Sequence, residues 1–263
     1  MHLHTLVDHL NQLLNPKLFR DYCPNGLQVE ASCEINSIIT GVTACEALID
    51  AAIAQQADAL LVHHGYFWKG EPLTVTGMKA RRIQKLIKHN ISLIAYHLPL
   101  DTHYQLGNNI LLGNALGLHH QVVINQGVQQ SISPKNTQLL FAGFTEPSAT
   151  QGVDINNILE KITCEIGPMP QQIIPDPKRP IRQIAWCTGG AQDFFMQAVD
   201  AGVDLFITGE ISERNFHEAQ ETGVGFIAAG HHATERFGAK ALGEWINRNL
   251  SLTNQFIDVP NPV

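Results

Sequence analysis

The sequence predicts an α/β protein made of two similar domains, and three observations carry that expectation. Three short apolar runs end in histidine: Ala59-Leu-Leu-Val-His63-His64, Leu93-Ile-Ala-Tyr-His97 and Phe226-Ile-Ala-Ala-Gly-His231-His232. Runs of this length that stop at glycine or proline read as buried strands of a largely parallel sheet. Segments with apolar residues at helical spacing lie between the strands, and the second half of the chain repeats the order of the first.

Composition supports a packed interior and narrows the function. The chain has 263 residues, 44% hydrophobic and 16% charged, with a formal net charge of −7. That balance argues against a nucleic-acid-binding surface, which needs a basic stripe to neutralise phosphates. The basic cluster Lys79, Arg81, Arg82, Lys85 and Lys88 alternates with Ile83, Leu86 and Ile87, as on the solvated face of a helix. The five cysteines, Cys23, Cys33, Cys45, Cys164 and Cys187, are scattered and odd in number. Neither a disulfide framework nor a thiolate zinc site is expected, and a reducing, cytoplasmic setting fits best. The first residues lack the basic and long apolar regions of a signal peptide. No apolar run approaches the length of a membrane span.

The elements follow in order. Leu3, Leu6, Val7, Leu10, Leu13 and Leu14 form an i, i+3, i+4 stripe, so residues 3–14 are expected as a helix that Asn15-Pro16 ends. Asp21-Tyr-Cys-Pro-Asn-Gly26 is a turn into a short strand. Residues 35–42 are expected as a strand, 44–56 as a helix and 59–64 as the first histidine-ended strand. A connection holding Phe67 and Trp68 leads to a helix over 78–89, the His97 strand, and a helix over 106–116 closed by Gly117. Residues 119–138, rich in Gln, Asn, Ser and His, are expected as a domain crossover. Residues 139–144 are a strand, 155–162 a short helix, and the prolines between 167 and 180 a surface loop.

After this loop the first half recurs. Ile184-Ala-Trp-Cys-Thr-Gly-Gly190 corresponds to Ile38-Ile-Thr-Gly-Val-Thr43, and residues 193–201 to the 44–56 helix. Asp204 and the strand ending at Thr208-Gly209-Glu210 correspond to Asp58 and the strand ending at His63-His64. His97-x-x-x-Asp101 returns as His231-x-x-x-Glu235. Internal duplication is therefore expected, with domains at 1–125 and 126–263, the chain's last helix packing back on the first.

The candidate site is the set His63, His64, His97, Asp101, His231 and Glu235, expected to come together around metal. Imidazole and carboxylate suit Zn²⁺, Mn²⁺, Fe²⁺, Co²⁺ or Ni²⁺. Six donors exceed the need of one tetrahedral catalytic ion and suit two divalent ions per subunit. Two ions about 3.5–4 Å apart activate water at neutral pH and act as Lewis acids, which is the physical case for hydrolysis. Adjacent strand residues diverge, so His63 and His64 converge only if the backbone turns at Gly65. Pro99 is expected to keep His97 and Asp101 off a regular helix, whereas a helix after Gly230 would bring His231 and Glu235 one turn apart. His232 is the weaker member of its pair. His2, His4, His9, His89, His103, His119, His120 and His217 are expected to be surface or structural.

Two further features are open. Glu210 occupies the slot of His64 in the repeat and suits a general base, a partner orienting a metal ligand, or a structural carboxylate. Thr188-Gly189-Gly190 suits a phosphate-binding turn or, without a lysine, a tight strand-to-helix turn.

These residues resemble the GTP cyclohydrolase 1 type 2 homologs, or Nif-three-like dinuclear-metal-centre proteins. The resemblance runs nearly end to end through Asn25-Gly-Leu-Gln-Val29, His63-His-Gly-Tyr-Phe-Trp-Lys-Gly70, His97-Leu-Pro-Leu-Asp101, Leu106-Gly-Asn-Asn109, Ile207-Thr-Gly-Glu210 and Gly230-His-His-Ala-Thr-Glu235. It is to the short bacterial form. It implies two similar α/β domains, a two-metal site made by the six residues above in the cleft between them, and a homohexameric ring with the sites facing an internal cavity. It also implies a small-molecule substrate, a purine nucleotide opened at the guanine imidazole ring by metal-activated water. Lys69, Arg81, Arg82, Arg214 and Arg236 are the candidates for gripping its phosphates. The rival expectations are a two-metal phosphoesterase or amidohydrolase on another small molecule, and a non-catalytic metal-binding scaffold ring.

Overall fold

The structure, a computed structural model, describes residues 1–167 and 170–263; Pro168 and Met169, inside the expected proline-rich loop, lie outside the described residues. In chain order the elements begin with α1 (Leu3–Leu14), β1 (Gly26–Val29), β2 (Ser37–Thr43), α2 (Glu46–Ala54), β3 (Ala59–His64), α3 (Gly77–Lys88) and β4 (Ser92–Ala95). Next come α4 (Leu98–Thr102), α5 (Asn108–Ala115), β5 (His119–Asn125), β6 (Val128–Ser131), β7 (Phe141–Phe144), α6 (Ile155–Glu165) and β8 (Gln171–Ile173). Then follow β9 (Gln183–Trp186), α7 (Phe195–Asp200), β10 (Leu205–Thr208), α8 (Glu213–Thr222), β11 (Gly225–Ala228), α9 (His231–Thr234), α10 (Arg236–Leu250) and β12 (Thr253–Phe256).

The chain forms two compact units, Met1–Leu100 with Gly238–Pro260, and Asp101–Phe237 with Asn261–Val263. The switch falls at 100/101 instead of the expected 125/126. The cause is packing: β5 pairs with β7, and Leu112 of α5 and Leu116 just after it join the core of the second unit. Most of α10 and all of β12 return to the first unit, where β12 runs parallel to β2.

The first unit is built on a five-stranded sheet of order β1-β4-β3-β2-β12. Its strands are parallel except β1, which pairs antiparallel to β4. Ile39, Leu60, Val62, Leu93 and Ala95 face Leu48, Ile49 and Ala52 of α2 and Leu86 of α3 in one core. The polar side of α3 is tied by Lys85 to Glu46 and Asp50, each at 2.7 Å, which is the solvated basic face expected.

The second unit is built on a seven-stranded sheet of order β6-β5-β7-β9-β10-β11-β8, in which β9, β10 and β11 are parallel. Alternation along these strands feeds two cores, one on each face. Ile184, Trp186, Leu205, Ile207 and Ile227 enter one, and Ala185, Phe206, Phe226 and Ala228 the other. The expected crossover at 119–138 is instead the β5–β6 hairpin, closed by Gln126 at φ 49° and Gly127 at φ 77°. Two positive-φ residues match the twist of the flanking strands, so β6 forms although all four of its residues are exposed, while Val123 and Ile124 of β5 are buried. Part of the expected proline-rich loop is likewise an edge strand, β8 pairing antiparallel with β11.

The halves use the same device at corresponding positions. Asp58 Oδ2 accepts the N–H groups of Asn36 and Ser37, at 2.8 and 3.0 Å, just ahead of β3. Asp204 Oδ2 accepts those of Arg182 and Gln183, at 3.0 and 3.1 Å, just ahead of β10. The antiparallel edge strand beside β4 in one sheet and β11 in the other extends the likeness.

Candidate metal centre

In the first unit β3 and β4 run side by side and deliver His63, His64 and His97 from their carboxyl ends. Each offers a ring nitrogen within 4.8 Å of the other two. The ring centroids lie 4.5 Å apart for His63 and His64, 5.1 Å for His63 and His97, and 5.7 Å for His64 and His97. The two neighbours converge because the chain bends at Gly65. A Cβ there would meet Gln28 Oε1 at 2.1 Å and the Ala95 Cβ at 2.7 Å, so only glycine fits the bend. Gln28 holds the outgoing chain by accepting the Tyr66 N–H at 2.7 Å.

The Nδ1 atoms of this triad are all engaged by oxygen. His63 Nδ1 donates to the Tyr96 carbonyl at 3.0 Å, His64 Nδ1 lies 3.2 Å from Thr43 Oγ1, and His97 Nδ1 donates to Asp21 Oδ1 at 2.7 Å. A carbonyl or carboxylate on Nδ1 selects the tautomer whose lone pair is on Nε2, the form that ligates a cation. Trp68 stands edge-on to His97 at 4.9 Å, fixed by its Nε1–H on the Gly65 carbonyl.

In the second unit α9 starts directly after Gly230, as expected, and His231 Nε2 lies 3.2 Å from Glu235 Oε2. His231 Nδ1 donates to Glu210 Oε1 at 2.6 Å. Burial alone would lower the His231 pKa, but the hydrogen bonds and charges of Glu235 and Glu210 raise it to about 9. Glu235 lies against Gly189, where an added Cβ would meet Glu235 Oε1 at 2.1 Å and His231 Nε2 at 3.2 Å. Gly189 therefore clears space at the head of these donors. A pocket of 480 Å³ opens beside Glu210, between Gly209, Gly230 and Ala233.

Asp101 is buried and accepts the Asn108 amide at 2.9 Å and the Thr188 hydroxyl at 3.3 Å. After His97 comes α4, a short helix that carries Asp101 where a loop was expected, while His97 lies just outside it, so the two do not share a helix. Pro99 sits in the first turn of α4, where the missing N–H costs no helical hydrogen bond. Thr188-Gly189-Gly190 is a tight turn of the structural kind. The N–H groups of Thr188, Gly189 and Ala191 donate to Asn109 Oδ1, Thr234 Oγ1 and Thr208 Oγ1, at 3.0, 3.0 and 3.2 Å.

Of the residues singled out in the sequence, the first unit thus groups three and the second groups His231 with Glu235 and Glu210. His232 is buried, with its N–H on the Val263 carbonyl at 3.0 Å. His4 pairs with Glu30 and His217 with Glu213 on the surface, and His103 Nδ1 accepts two backbone N–H groups of its own loop. Arg214 pairs with Asp193, and Arg236 donates to the Ile166 carbonyl. The sequence reading did not find Asp21, Thr43, Asn108 or Asn109. Asp21 reaches its histidine across 76 residues, so no local spacing betrays it.

Imidazoles with oriented Nδ1 atoms, together with buried carboxylates, fit divalent cations of the borderline class. Fold and donors define an α/β protein with two sheets whose histidine and carboxylate clusters can hold metal ions. The chain belongs to the Duf34/NIF3 (NGG1p interacting factor 3) family, whose model matches residues 1–262. It is 46% identical over 260 residues to the GTP cyclohydrolase 1 type 2 homolog of Pseudomonas aeruginosa, covering 99% of this chain and 98% of that one. The homolog of Yersinia pestis is 49% identical over 253 residues, 96% of each chain. Among solved structures, the protein ybgI, of unknown function, has a TM-score of 0.89 at 43% identity, and a protein from Thermus thermophilus has 0.86 at 30%. Both alignments cover 100% of each chain. No helix among the described residues is long and apolar enough to cross a membrane.

Proposed function

We propose that the protein is a dinuclear metal-dependent hydrolase that opens a purine nucleotide, with two divalent ions held jointly by His63, His64, His97, Asp101, His231 and Glu235. The observation that carries this reading is the oriented imidazole. His63, His97 and His231 each donate Nδ1–H to a protein carbonyl or carboxylate, at 3.0, 2.7 and 2.6 Å. A histidine that ligates a metal characteristically gives its other ring N–H to such an acceptor, which fixes the tautomer and turns Nε2 toward the ion. Bound divalent ions supply an activated water and Lewis acidity.

The chain's own residues then divide the work. His63 and His97, whose Nδ1 atoms are taken by oxygen acceptors, would hold an ion through Nε2, with His64 as the third imidazole beside them. Glu235 and Asp101 add charge, which favours two cations over one. Glu210 holds the His231 ring through Oε1 and borders the 480 Å³ pocket, where it can accept a substrate proton. The names borne by the Pseudomonas and Yersinia relatives support the cyclohydrolase form of the reaction, and a cytoplasmic homohexamer is the expected assembly. The test is metal-loaded protein with GTP: consumption of GTP with release of formate is expected, lost in His64→Ala. A metal-replete sample that yields no formate removes the cyclohydrolase form.

A second reading, hydrolysis of another small ester or amide, is favoured by the Thr188-Gly189-Gly190 turn. Its N–H groups at Thr188, Gly189 and Ala191 serve protein oxygens, whereas a triphosphate needs such donors. Turnover of a phosphodiester or amide panel without formate from GTP selects it.

A further inference from the structure

We infer that Asp21 is a positioning residue for metal binding, the carboxylate that sets the tautomer and angle of His97. The proposal rests on the reading of His97 as a metal ligand.

The Asp21 side chain is 4% exposed and accepts four hydrogen bonds. Oδ1 takes His97 Nδ1–H at 2.7 Å and the Tyr22 N–H at 2.6 Å. Oδ2 takes the Asn25 amide at 2.8 Å and the Leu98 N–H at 3.0 Å. Asn25 Oδ1 in turn accepts the His97 N–H at 2.7 Å. Asp21 and Asn25 therefore grip His97 at both backbone and ring, and grip the residue that follows it. Burial by itself would raise the Asp21 carboxyl. The hydrogen bond and charge of His97, with the Asn25 and Tyr22 donors, outweigh it and hold the group below the ordinary carboxylate range.

A carboxylate placed this way would be an expensive choice if it only joined a loop to a strand, because a backbone carbonyl or a neutral amide could do so without a buried charge. Its charge matters if the ring must stay neutral at Nε2 and basic enough to ligate. The second unit repeats the arrangement. His231, at the corresponding position, gives Nδ1–H to the carboxylate of Glu210 at 2.6 Å. Thus the two histidines of the His-x-x-x-acid repeats each have a carboxylate on Nδ1, drawn from different parts of the chain. Cys23 is the rival partner, since its sulfur, an Asp21 oxygen and a His97 nitrogen lie within 4.8 Å of one another. Cys23 is buried, and the Cys23→Ser variant separates its part from that of Asp21.

The experiment is a Zn²⁺ and Co²⁺ competition titration of the full chain, with wild type, Asp21→Asn, Cys23→Ser and His63→Ala side by side. Asp21→Asn is expected to weaken binding about 10- to 100-fold, the usual effect of losing such a partner. Cys23→Ser should bind as wild type does, and the Co²⁺ spectrum should lack a thiolate charge-transfer band. Long-range ¹H–¹⁵N NMR of the metal-free wild type gives a readout that needs no variant to fold: His97 is expected as the Nδ1–H tautomer. An Nε2–H tautomer, or Asp21→Asn binding within twofold of wild type, overturns the proposal while leaving the metal reading intact. A thiolate band, with Cys23→Ser and Asp21→Asn both weakened, makes Asp21 a ligand and also overturns it. If wild type takes up no metal, or His63→Ala binds as wild type does, the metal reading itself fails and takes this proposal with it.

Discussion

Glu210 Oε1 lies 2.6 Å from His231 Nδ1, while the same ring's Nε2 lies 3.2 Å from Glu235 Oε2. One imidazole is thus held between two carboxylates that reach it from opposite edges. Glu210 stands at the end of β10 and Glu235 just past α9, so sheet and helix fix the ring independently. Glu210→Gln should keep the fold and weaken metal binding about 10-fold, the lower range for losing an orienting partner. Competition titration with a chromogenic chelator reads this directly. An unchanged affinity would leave Glu210 without a role in holding His231.

The same pair of carboxylates sets a pH dependence for the metal-free protein. The His231 pKa rises to about 9 from an ordinary value of 6.5, against the lowering that burial alone would cause. A raised folded-state value means the protonated imidazolium stabilises the fold. That contribution is complete below pH 6.5 and is lost as pH climbs toward 9. Thermal unfolding of chelator-treated protein should therefore show a falling Tm across this window, and a shallower fall in His231→Asn. Parallel curves for the two proteins would contradict the assignment.

Gly65 is the hinge on which the first unit's triad depends. An added Cβ meets Gln28 Oε1 at 2.1 Å and the Ala95 Cβ at 2.7 Å. Gly65→Ala must displace Gln28, which accepts the Tyr66 N–H, or push β4 aside. A loss of about 1–3 kcal/mol is expected from overpacking of this kind. Metal affinity should fall too, since His63 and His64 converge only through that bend. Denaturant unfolding and metal titration on one sample test both halves, and a variant as stable as wild type would show the bend is tolerant.

The thiols sort by burial. Cys33 and Cys164 are exposed, whereas Cys23 and Cys187 are buried. Burial is the main cause that lifts Cys23 to about 12, and it carries Cys187 well above the ordinary thiol value with help from Asp101 and Glu235. Thiolate is the reactive form. Ellman's reagent at pH 8 should label Cys33 and Cys164 rapidly in native protein, and reach Cys23 and Cys187 only on unfolding. Fast native labelling of Cys23 would mean that its pocket opens readily.

What the sequence made legible follows from the range of the forces involved. The α1 stripe and the histidine-ended strands are local patterns, and each appears within a residue or two of its expected place. The β5–β6 hairpin escaped because its signal is turn geometry at Gln126-Gly127, while all four residues of β6 are exposed. β12 escaped because the short polar run Thr253-Asn-Gln-Phe256 becomes a strand only by pairing with β2, more than 200 residues earlier. Asp101 and Glu235 were visible through spacing from histidine. Asp21 was not, since its relation to His97 exists only after folding.

The likeness of the two halves, read first from spacing, yields the last prediction at Asp58 and Asp204. Each carboxylate takes two consecutive backbone N–H groups at the entry to its sheet. Asp204 does more. Its side chain is 4% exposed and also accepts Arg179 at 2.6 Å. Alanine at either site strands two amide donors, but only at 204 are the donors and a cation left beside a buried gap. Unsatisfied buried donors cost about 1–3 kcal/mol each, so Asp204→Ala should lose roughly twice the stability of Asp58→Ala. Asn at position 204 should recover part of it, because its amide oxygen still accepts the strand's N–H groups. Urea unfolding of the three variants decides the point, and equal losses at 58 and 204 would mean that the shared backbone bonds, and not the burial around Asp204, set the cost.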